Sequence, residues 1–309
     1  MKRVCLFLFA GLLAAACGQG SAELLKVNID RALKHPAGAR DVFSEAAAIP
    51  LRCPDGIALG REVKLLDVAP DRFFLLDAGR NDILAFDWNG NFVTAIGRGE
   101  TILDGSIYRD RVLNVLTQDA FFEYAVTDGS LLAEYPFDSG GVTLKSLGRV
   151  DDDSVFMLGS KEGLAYGCGY LIGKLGFYSD TIPTAEYLVT RALFPAAEVE
   201  YSRFFRCGDT VYSFFSRSGQ IDQYTADDFA CVPYMWDFGR RQPLFTNVQK
   251  TAGRIYLAFE SEGERAVLIC DLKSRQYKAV PQDAFPLGII YGGSNYAFAH
   301  GEVTRYVLR

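Results

Sequence analysis

Residues 63–97 alternate between short, mainly apolar runs and tight polar turns. The runs occupy residues 64–68, 73–77, 83–87 and 92–96. Apolar runs of this length bounded by turn residues predict β-strands. The pair Asn89-Gly90 separates the last two runs, and we expect a type I′ hairpin turn there because both residues tolerate a positive φ. The segment therefore predicts a meander of four antiparallel strands.

The same pattern recurs along the chain. Asp110-Arg111 follows Asp71-Arg72 by 39 residues, and Asp128-Gly129 follows Asn89-Gly90 by 39 residues. Further turn pairs precede apolar runs at Asp153-Ser154, Asp209-Thr210, Gly253-Arg254 and Ser294-Asn295, which gives six units spaced by 39, 43, 56, 44 and 41 residues. Repeats of about 40–50 residues with four strands each are typical of β-propellers. We predict an all-β fold, a six-bladed β-propeller of four-stranded antiparallel blades. The long spacing indicates an insertion within residues 161–202, and the constant offset disfavours the alternative of a two-sheet sandwich.

The last unit supplies three strands, at residues 287–291, 295–299 and 303–308. Residues 46–51 read as a strand near the other end of the chain. We predict that this N-terminal strand pairs into the last blade and closes the ring, because closure leaves no open sheet at the end.

The first residues predict a bacterial lipoprotein signal. Lys2 and Arg3 precede an apolar stretch over residues 4–16, and small residues lead to Cys17 and Gly18. We therefore assign residues 1–16 to a signal peptide, Cys17 to lipidation, residues 17–45 to an anchor and lead-in, and residues 46–309 to the propeller. A plain secretory signal is the alternative. We expect a cell-envelope protein, on the periplasmic side or the surface of the outer membrane, that contacts the membrane through its N-terminal lipid alone.

Composition excludes several classes of function. The 309-residue chain has a net charge of −6 and a pI near 5.1, so we expect no nucleic-acid partner. Two histidines and the absence of a C-x-x-C motif argue against a His-rich metal site or a zinc knuckle, and we expect no metal or cofactor. Five cysteines follow Cys17, and outside the cytoplasm Cys207 and Cys231 are a candidate disulfide.

The region around residues 40–99 resembles a known family. Ile49-Pro50-Leu51, followed by residues 65–99 with Phe86-Asp87, Asn89-Gly90 and Ile96-Gly97, resembles the six-bladed β-propeller lipoproteins of Bacteroidales, which are related to NHL-type propellers. The chain departs from that family after Gly97, where Arg98-Gly99-Glu100 replaces a Gly-Pro-Gly-like stretch. The resemblance implies a propeller in the cell envelope and leaves the activity open.

Candidate binding residues come from loops that a propeller gathers on one face, namely those joining the second and third strands of each blade and those entering each blade's innermost strand. Their side chains are polar and of mixed charge, which suits hydrogen bonding to a polar ligand. A Gly-rich stretch at residues 158–176 adds aromatic groups, although a plain hairpin with a long tip would have the same composition. The candidates are Arg80, Asn81, Gln118, Asp119, Lys161, Tyr166, Arg217, Glu260 and His300.

We predict a monomeric, non-catalytic propeller that binds a glycan, a peptide or a protein partner. The alternative is a metal-dependent propeller hydrolase, lactonase or lyase, which would need carboxylates from several innermost strands at the axis. The predicted innermost strands are mainly apolar, and Asp67 is the exception. A structural subunit of an envelope complex is a third possibility, and it would show a contiguous apolar surface patch.

Overall fold

The computed structural model describes residues 23–97, 99–139, 141–161, 164–171, 203–214, 216, 221–224, 231–238 and 243–309, and for residues 23, 24, 161, 164–171, 231–235 and 237 it describes the backbone alone. Within these residues the helices are α1 (Ile29–Lys34) and one 3-10 turn (Ala39–Asp41). The predicted lipidation residue Cys17 and the candidate Arg217 lie outside the described residues.

The described strands form six sheets. The first two strands along the chain, β1 (Glu23–Lys26) and β2 (Phe43–Pro50), join the fourth and the sixth sheet. The first sheet contains β3 (Val63–Val68), β4 (Arg72–Asp77), β5 (Asp82–Asp87) and β6 (Phe92–Gly97). The second contains β7 (Asp104–Tyr108), β8 (Val112–Leu116), β9 (Ala120–Ala125) and β10 (Leu131–Pro136), and the third contains β11 (Thr143–Arg149), β12 (Ser154–Lys161) and β13 (Leu164–Leu171).

The remaining sheets follow the same order. The fourth contains β14 (Arg203–Cys207), β15 (Thr210–Phe214), β16 (Ile221–Tyr224) and β17 (Cys231–Asp237), with β1 added in parallel beside β17. The fifth contains β18 (Leu244–Lys250), β19 (Arg254–Ser261), β20 (Glu264–Asp271) and β21 (Tyr277–Pro281), and the sixth contains β22 (Ile289–Tyr291), β23 (Ser294–Ala299), β24 (Glu302–Leu308) and β2.

The first strands of these sheets form a closed circle. In chain order, β3, β7, β11, β14, β18 and β22 each contact the next, and β22 contacts β3. Neighbouring sheets pack face to face, and the described core divides into six apolar clusters, one between each adjacent pair. The cluster between the first two sheets, for example, joins Phe74 and Leu76 to Leu113 and Phe122. The chain is therefore an all-β propeller of small antiparallel sheets.

The sequence repeat predicts the start of the second strand in every sheet. Each of the six turn pairs lies at or just before the first residue of that strand, at Arg72, Val112, Ser154, Thr210, Arg254 and Ser294. The offset thus reflects a structural repeat and not a general abundance of strands.

Ring closure follows the predicted pairing. Strand β2 pairs antiparallel with β24 over Phe43–Pro50, so the closing strand begins three residues before the predicted boundary at residue 46. The lead-in is also part of the packed body. Strand β1 extends the fourth sheet, and α1 packs against β21 of the fifth sheet. Leu25, Val27 and Ile29 are buried between these sheets, so the segment spans three sheets before it closes the ring.

The turn at Asn89-Gly90 differs from the predicted type I′ turn. Only Gly90 has a positive φ, of 80°, and the Gly90 amide donates to the Asp87 carbonyl at 2.9 Å. The loop is therefore one residue longer than a two-residue turn and ends in a left-handed glycine. The closing strand explains why: a Cβ at position 90 would overlap the carbonyl oxygen of Pro50, and the Arg52 amide donates to the Gly90 carbonyl at 2.8 Å.

Candidate axial binding site

A pocket of about 400 Å³ lies where the six innermost strands converge. Each of β3, β7, β11, β14, β18 and β22 contributes to its wall, and we call it the axial pocket. Its outer end is lined by turns that join the first and second strands of their sheets, including Arg109-Asp110, Gly208-Asp209 and Gly292-Gly293. A pocket of this size, with converging polar groups, suits a small molecule.

Asp67 is the carboxylate that the sequence singled out, and it lies in this wall. The Val68 amide donates to its Oδ1 at 2.8 Å, and the Ile107 amide of the next sheet donates to its Oδ2 at 2.6 Å. Burial raises the pKa of Asp67 from 3.8 to about 6, against the opposing effect of these two amides and of Arg206. The carboxylate therefore connects two sheets while carrying an incompletely compensated charge.

The same connection recurs around the ring. Asp104 on β7 accepts from the Ser146 hydroxyl at 2.5 Å and from the Leu147 amide at 3.3 Å, both on β11. Gln249 on β18 accepts from the Ile290 amide of β22 at 3.1 Å. Polar side chains on the innermost strands thus satisfy backbone amides of the neighbouring sheet, which fixes adjacent sheets at the axis.

Arg203 and Arg206 line the same pocket from β14. The Nη2 of Arg203 donates to the Asn247 side-chain oxygen at 2.8 Å, and the Nη2 of Arg206 donates to the Arg149 carbonyl at 2.8 Å. The Nε of each guanidinium is shielded from solvent and has no hydrogen-bond partner. Burial lowers the pKa of both arginines. Both acceptors are neutral oxygens, so these half-buried charges are partly desolvated without a close counter-ion.

The rim of the pocket contains an unusual turn. Arg109 and Asp110 both have left-handed backbones, with φ of 48° and 55°, whereas the equivalent turn of the sixth sheet uses Gly292 and Gly293. Left-handed residues other than glycine, especially two in a row, concentrate at sites that place particular side chains. Burial, with the nearby Asp110 carboxylate, raises the pKa of Tyr291 to about 12, so its phenol is a hydrogen-bond donor at neutral pH.

The described loop residues chosen from the sequence share one face, but it is the face opposite the rim of the axial pocket. All but one lie between the second and third strands of their sheets, the exception being Glu260, which lies near the end of β19. No described contact joins them into a cluster. Gln118 is already bonded, donating to Ser139 Oγ and the Val142 carbonyl and accepting from the Leu144 amide. The residues so placed are Arg80, Asn81, Gln118, Asp119, Glu260 and His300.

For three other residues chosen from the sequence, Lys161, Tyr166 and Cys231, the structure describes the backbone alone. Lys161 ends β12 and Tyr166 lies in β13. The backbone of Cys231 lies in β17, separated from Cys207 on β14 by two intervening strands. Three strand spacings amount to about 14 Å, more than a disulfide spans. Cys207 is a free cysteine, so the structure argues against the predicted Cys207–Cys231 bond.

The charged lining of the pocket was only partly predicted, since Asp67 was noted but Asp104, Arg203 and Arg206 were not. Two arginines flank Phe204-Phe205 immediately before the turn Gly208-Asp209. Because each turn pair precedes a second strand, these arginines had to belong to an innermost strand, and a charge there faces the axis or is paired. That signal was available in the sequence.

The described residues contain no cluster of three or more His, Cys, Asp or Glu side chains arranged to hold a metal ion. Across the same residues, the longest helices are too short and too polar to cross a membrane.

No protein-family model matches the chain, and no curated protein matches it. Among solved structures, an exported protein of Bacteroides fragilis aligns at 13% identity with a TM-score of 0.67, covering 94% of this chain and 99% of that one. A DUF4221-family protein of Bacteroides vulgatus aligns at 8% identity and 0.59, covering 87% and 97%. Virginiamycin B lyase of Staphylococcus aureus aligns at 9% identity and 0.53, covering 86% and 99%. At these identities the similarity concerns the fold.

Proposed function

We propose that the protein is a non-catalytic binding propeller of the cell envelope that takes a small polar ligand, such as a sugar or the end of a peptide, in the axial pocket. The observation that carries this proposal is the pocket itself, since all six innermost strands contribute to it and its lining contains four carboxylates, three guanidiniums and one lysine. Buried charges are costly, so natural proteins retain them mainly where they have partners or a function.

We further propose that the six sheets are the six blades of a single ring and that the chain is related to the Bacteroidales propeller lipoproteins. The circular contacts of the innermost strands and the six apolar clusters support the blade count. The similarity to an exported protein of Bacteroides fragilis and the lipobox-like sequence before Cys17 support an envelope location. In this proposal the protein is a monomer that contacts the membrane only through a lipid on Cys17. A glycan, peptide or protein partner binds the folded propeller.

A screen of neutral glycans and short peptides tests the binding function. Purified protein with Cys17→Ser is heated with each compound, because a ligand that binds the native state alone raises the melting temperature. Compounds that stabilise the protein are then titrated by calorimetry against the wild-type pocket, against Tyr291→Phe, which removes one hydroxyl from the lining, and against Arg206→Met. A ligand that stabilises the protein and binds more weakly to either variant supports the axial pocket. Equal affinity for wild type, Tyr291→Phe and Arg206→Met would place binding elsewhere, for example on the face that carries His300.

A metal-dependent lyase or hydrolase is the second candidate. It is favoured by one observation, the convergence of Asp67 and Asp104 from neighbouring innermost strands. Calcium, magnesium, manganese and zinc are added to chelator-treated protein. A saturable rise in melting temperature that Asp104→Asn abolishes supports the enzyme, and no response to any of the four ions argues against it.

A further inference from the structure

Arg203 and Arg206 differ from the third arginine that lines the axial pocket, Arg109, which pairs with Asp152, and from the structural arginine beside them. Arg149 is buried near the pocket, but its Nη1 donates to the Glu123 carboxylate at 2.5 Å, so its charge has a direct counter-ion. Arg203 and Arg206 have neutral acceptors instead, and no described carboxylate lies within ion-pair distance of either. A half-buried arginine that lacks a carboxylate partner is suited to bind an anionic ligand.

The nearby carboxylates are engaged elsewhere. Both oxygens of Asp67 accept hydrogen bonds from backbone amides, and one oxygen of Asp104 accepts hydrogen bonds from a hydroxyl and an amide. These bonds hold the two acids against the neighbouring sheets. Asp67 and Asp104 act on Arg203, and Asp67 with the rim acids Asp110 and Asp209 acts on Arg206, only through longer-range charge interactions that partly offset desolvation. The close donor positions of the guanidiniums are therefore left for another acceptor.

Three polar atoms of the pocket residues are shielded from solvent and lack a partner: Nε of Arg203, Nε of Arg206 and Oγ of Ser106. Buried polar atoms in folded proteins are almost always bonded, so three such atoms around one cavity are unusual. Two are cationic donors and the third is a hydroxyl, which can donate or accept. Atoms shielded to this degree do not themselves face the cavity, so they mark a wall whose polar groups are incompletely satisfied, and the arginines among them suit an anionic acceptor.

We propose that the axial pocket binds a small organic acid whose carboxylate is held by Arg203 and Arg206. This proposal rests on the proposed function of the same pocket and narrows its ligand class. Arg206 also stacks on Tyr108, with the guanidinium carbon 5.1 Å from the ring centroid, so its position is fixed before a ligand arrives. The two arginines lie on opposite sides of β14, Arg203 bonded to Asn247 of the fifth sheet and Arg206 to the Arg149 carbonyl of the third, and both line the cavity. A carboxylate at the axial edge of β14 would therefore meet one guanidinium from each side.

Calorimetric titration tests the proposal on the purified protein with Cys17→Ser. The titrated compounds are acetate, lactate, glutamate and glucuronate, together with glucose as the neutral counterpart of glucuronate. Glucuronate and glucose share a ring and differ at C6, where one has a carboxylate and the other an alcohol. We expect saturable binding of at least one acid and no binding of glucose. Arg206→Met should weaken the acid about 10- to 100-fold, the loss expected for one charged hydrogen bond.

Arg305→Met is the matched control. Arg305 lies in the sixth sheet outside the pocket and donates from Nε to Ser294 Oγ at 3.1 Å, so the same substitution removes one arginine hydrogen bond elsewhere. Its affinity for the acid should equal that of the wild type. Melting curves without ligand establish that each variant is folded, and Arg203→Met replaces Arg206→Met if the latter is not.

The outcomes separate the two proposals. If Arg206→Met and Arg203→Met both bind the acid as tightly as the wild type does, the assignment of the carboxylate is wrong. If no acid binds while a neutral glycan or peptide from the screen does, the organic-acid proposal fails and the binding function stands. If neither the acids nor the neutral screen gives a ligand, both proposals fail.

Discussion

Asp67→Asn should change how the stability of the propeller depends on pH. The raised pKa of Asp67 means that the folded protein binds this proton more tightly than the unfolded chain does. The groups that face it are Asp104 of the second sheet, Arg203 and Arg206 of the fourth, and Tyr291 of the sixth. None of them is a close ion pair, so the effect belongs mainly to burial of the carboxylate.

The magnitude follows from the two pKa values. Between 3.8 and about 6 the folded protein retains the proton that the unfolded chain loses, so the free energy of unfolding of the wild type falls as pH rises through that window. At about 1.4 kcal/mol per pKa unit, the full effect is at most about 3 kcal/mol above pH 6. An asparagine removes this dependence. Asparagine can accept only one of the two hydrogen bonds that backbone amides donate to Asp67. The variant therefore loses about 1–3 kcal/mol of its free energy of unfolding at every pH.

These two effects predict that the curves converge. Near pH 4 the Asp67→Asn protein should be less stable than the wild type, and near pH 7 it should be equal or slightly more stable. Denaturant unfolding followed by circular dichroism at intervals from pH 4 to pH 7.5 measures the difference. Asp128→Asn is the control, because the Ser130 amide lowers the pKa of this exposed acid, so its own effect falls below pH 4. A stability difference between Asp67→Asn and wild type that stays constant with pH would refute the reasoning.

Two further substitutions test the fold. Gly90→Ala should destabilise the protein much more than Gly263→Ala, although both glycines have φ near 80°. The reason is that a Cβ meets the Pro50 carbonyl at position 90 and open space at position 263. Thermal melts of the two variants isolate the closing contact, and equal losses of stability would contradict it. Arg149→Met should cost about 3–5 kcal/mol because it leaves Glu123 buried without its partner, and adding Glu123→Leu should recover most of that loss in denaturant unfolding; a double variant no more stable than Arg149→Met alone would argue against this explanation.

The repeat made the architecture readable because a propeller uses the same local chemistry in each sheet. A turn, a buried second strand and a third strand recur, and the apolar runs must recur with them if each sheet is to cover its neighbour. The type of one turn was not readable in the same way. Asn89-Gly90 has the composition of a type I′ turn, but the closing strand passes over it, and contact with Pro50 and Arg52 favours the longer loop. Such contacts between residues far apart in the chain are not visible in a local pattern.

The lead-in was underestimated for a related reason. A strand of four residues and a helix of six have little stability alone, and the sequence therefore predicts only an anchor and lead-in over residues 17–45. They are ordered by tertiary contacts: Leu25 and Ile29 are buried against the fourth and fifth sheets, and the Tyr277 hydroxyl accepts from the Asn28 amide at 3.0 Å. Removing this segment would expose apolar surface on both sheets, so it is part of the packed body.

Apart from Asp67, the charges of the site were not predicted, because the candidate residues came mainly from loops whereas these charges lie on strands. An innermost strand has one edge toward the axis, and a side chain near that edge can face the channel while its neighbours pack between sheets. Arg203 and Arg206 therefore sit beside buried Phe204 and Phe205 without disturbing an apolar pattern. The rule that an unpaired charge on a core strand marks a pocket applies to both arginines and to Asp67. It also distinguishes Arg149, whose buried charge is matched by Glu123, as a structural residue. The position and partner of each charge, more than its residue type, separate the candidate site from the framework that holds it.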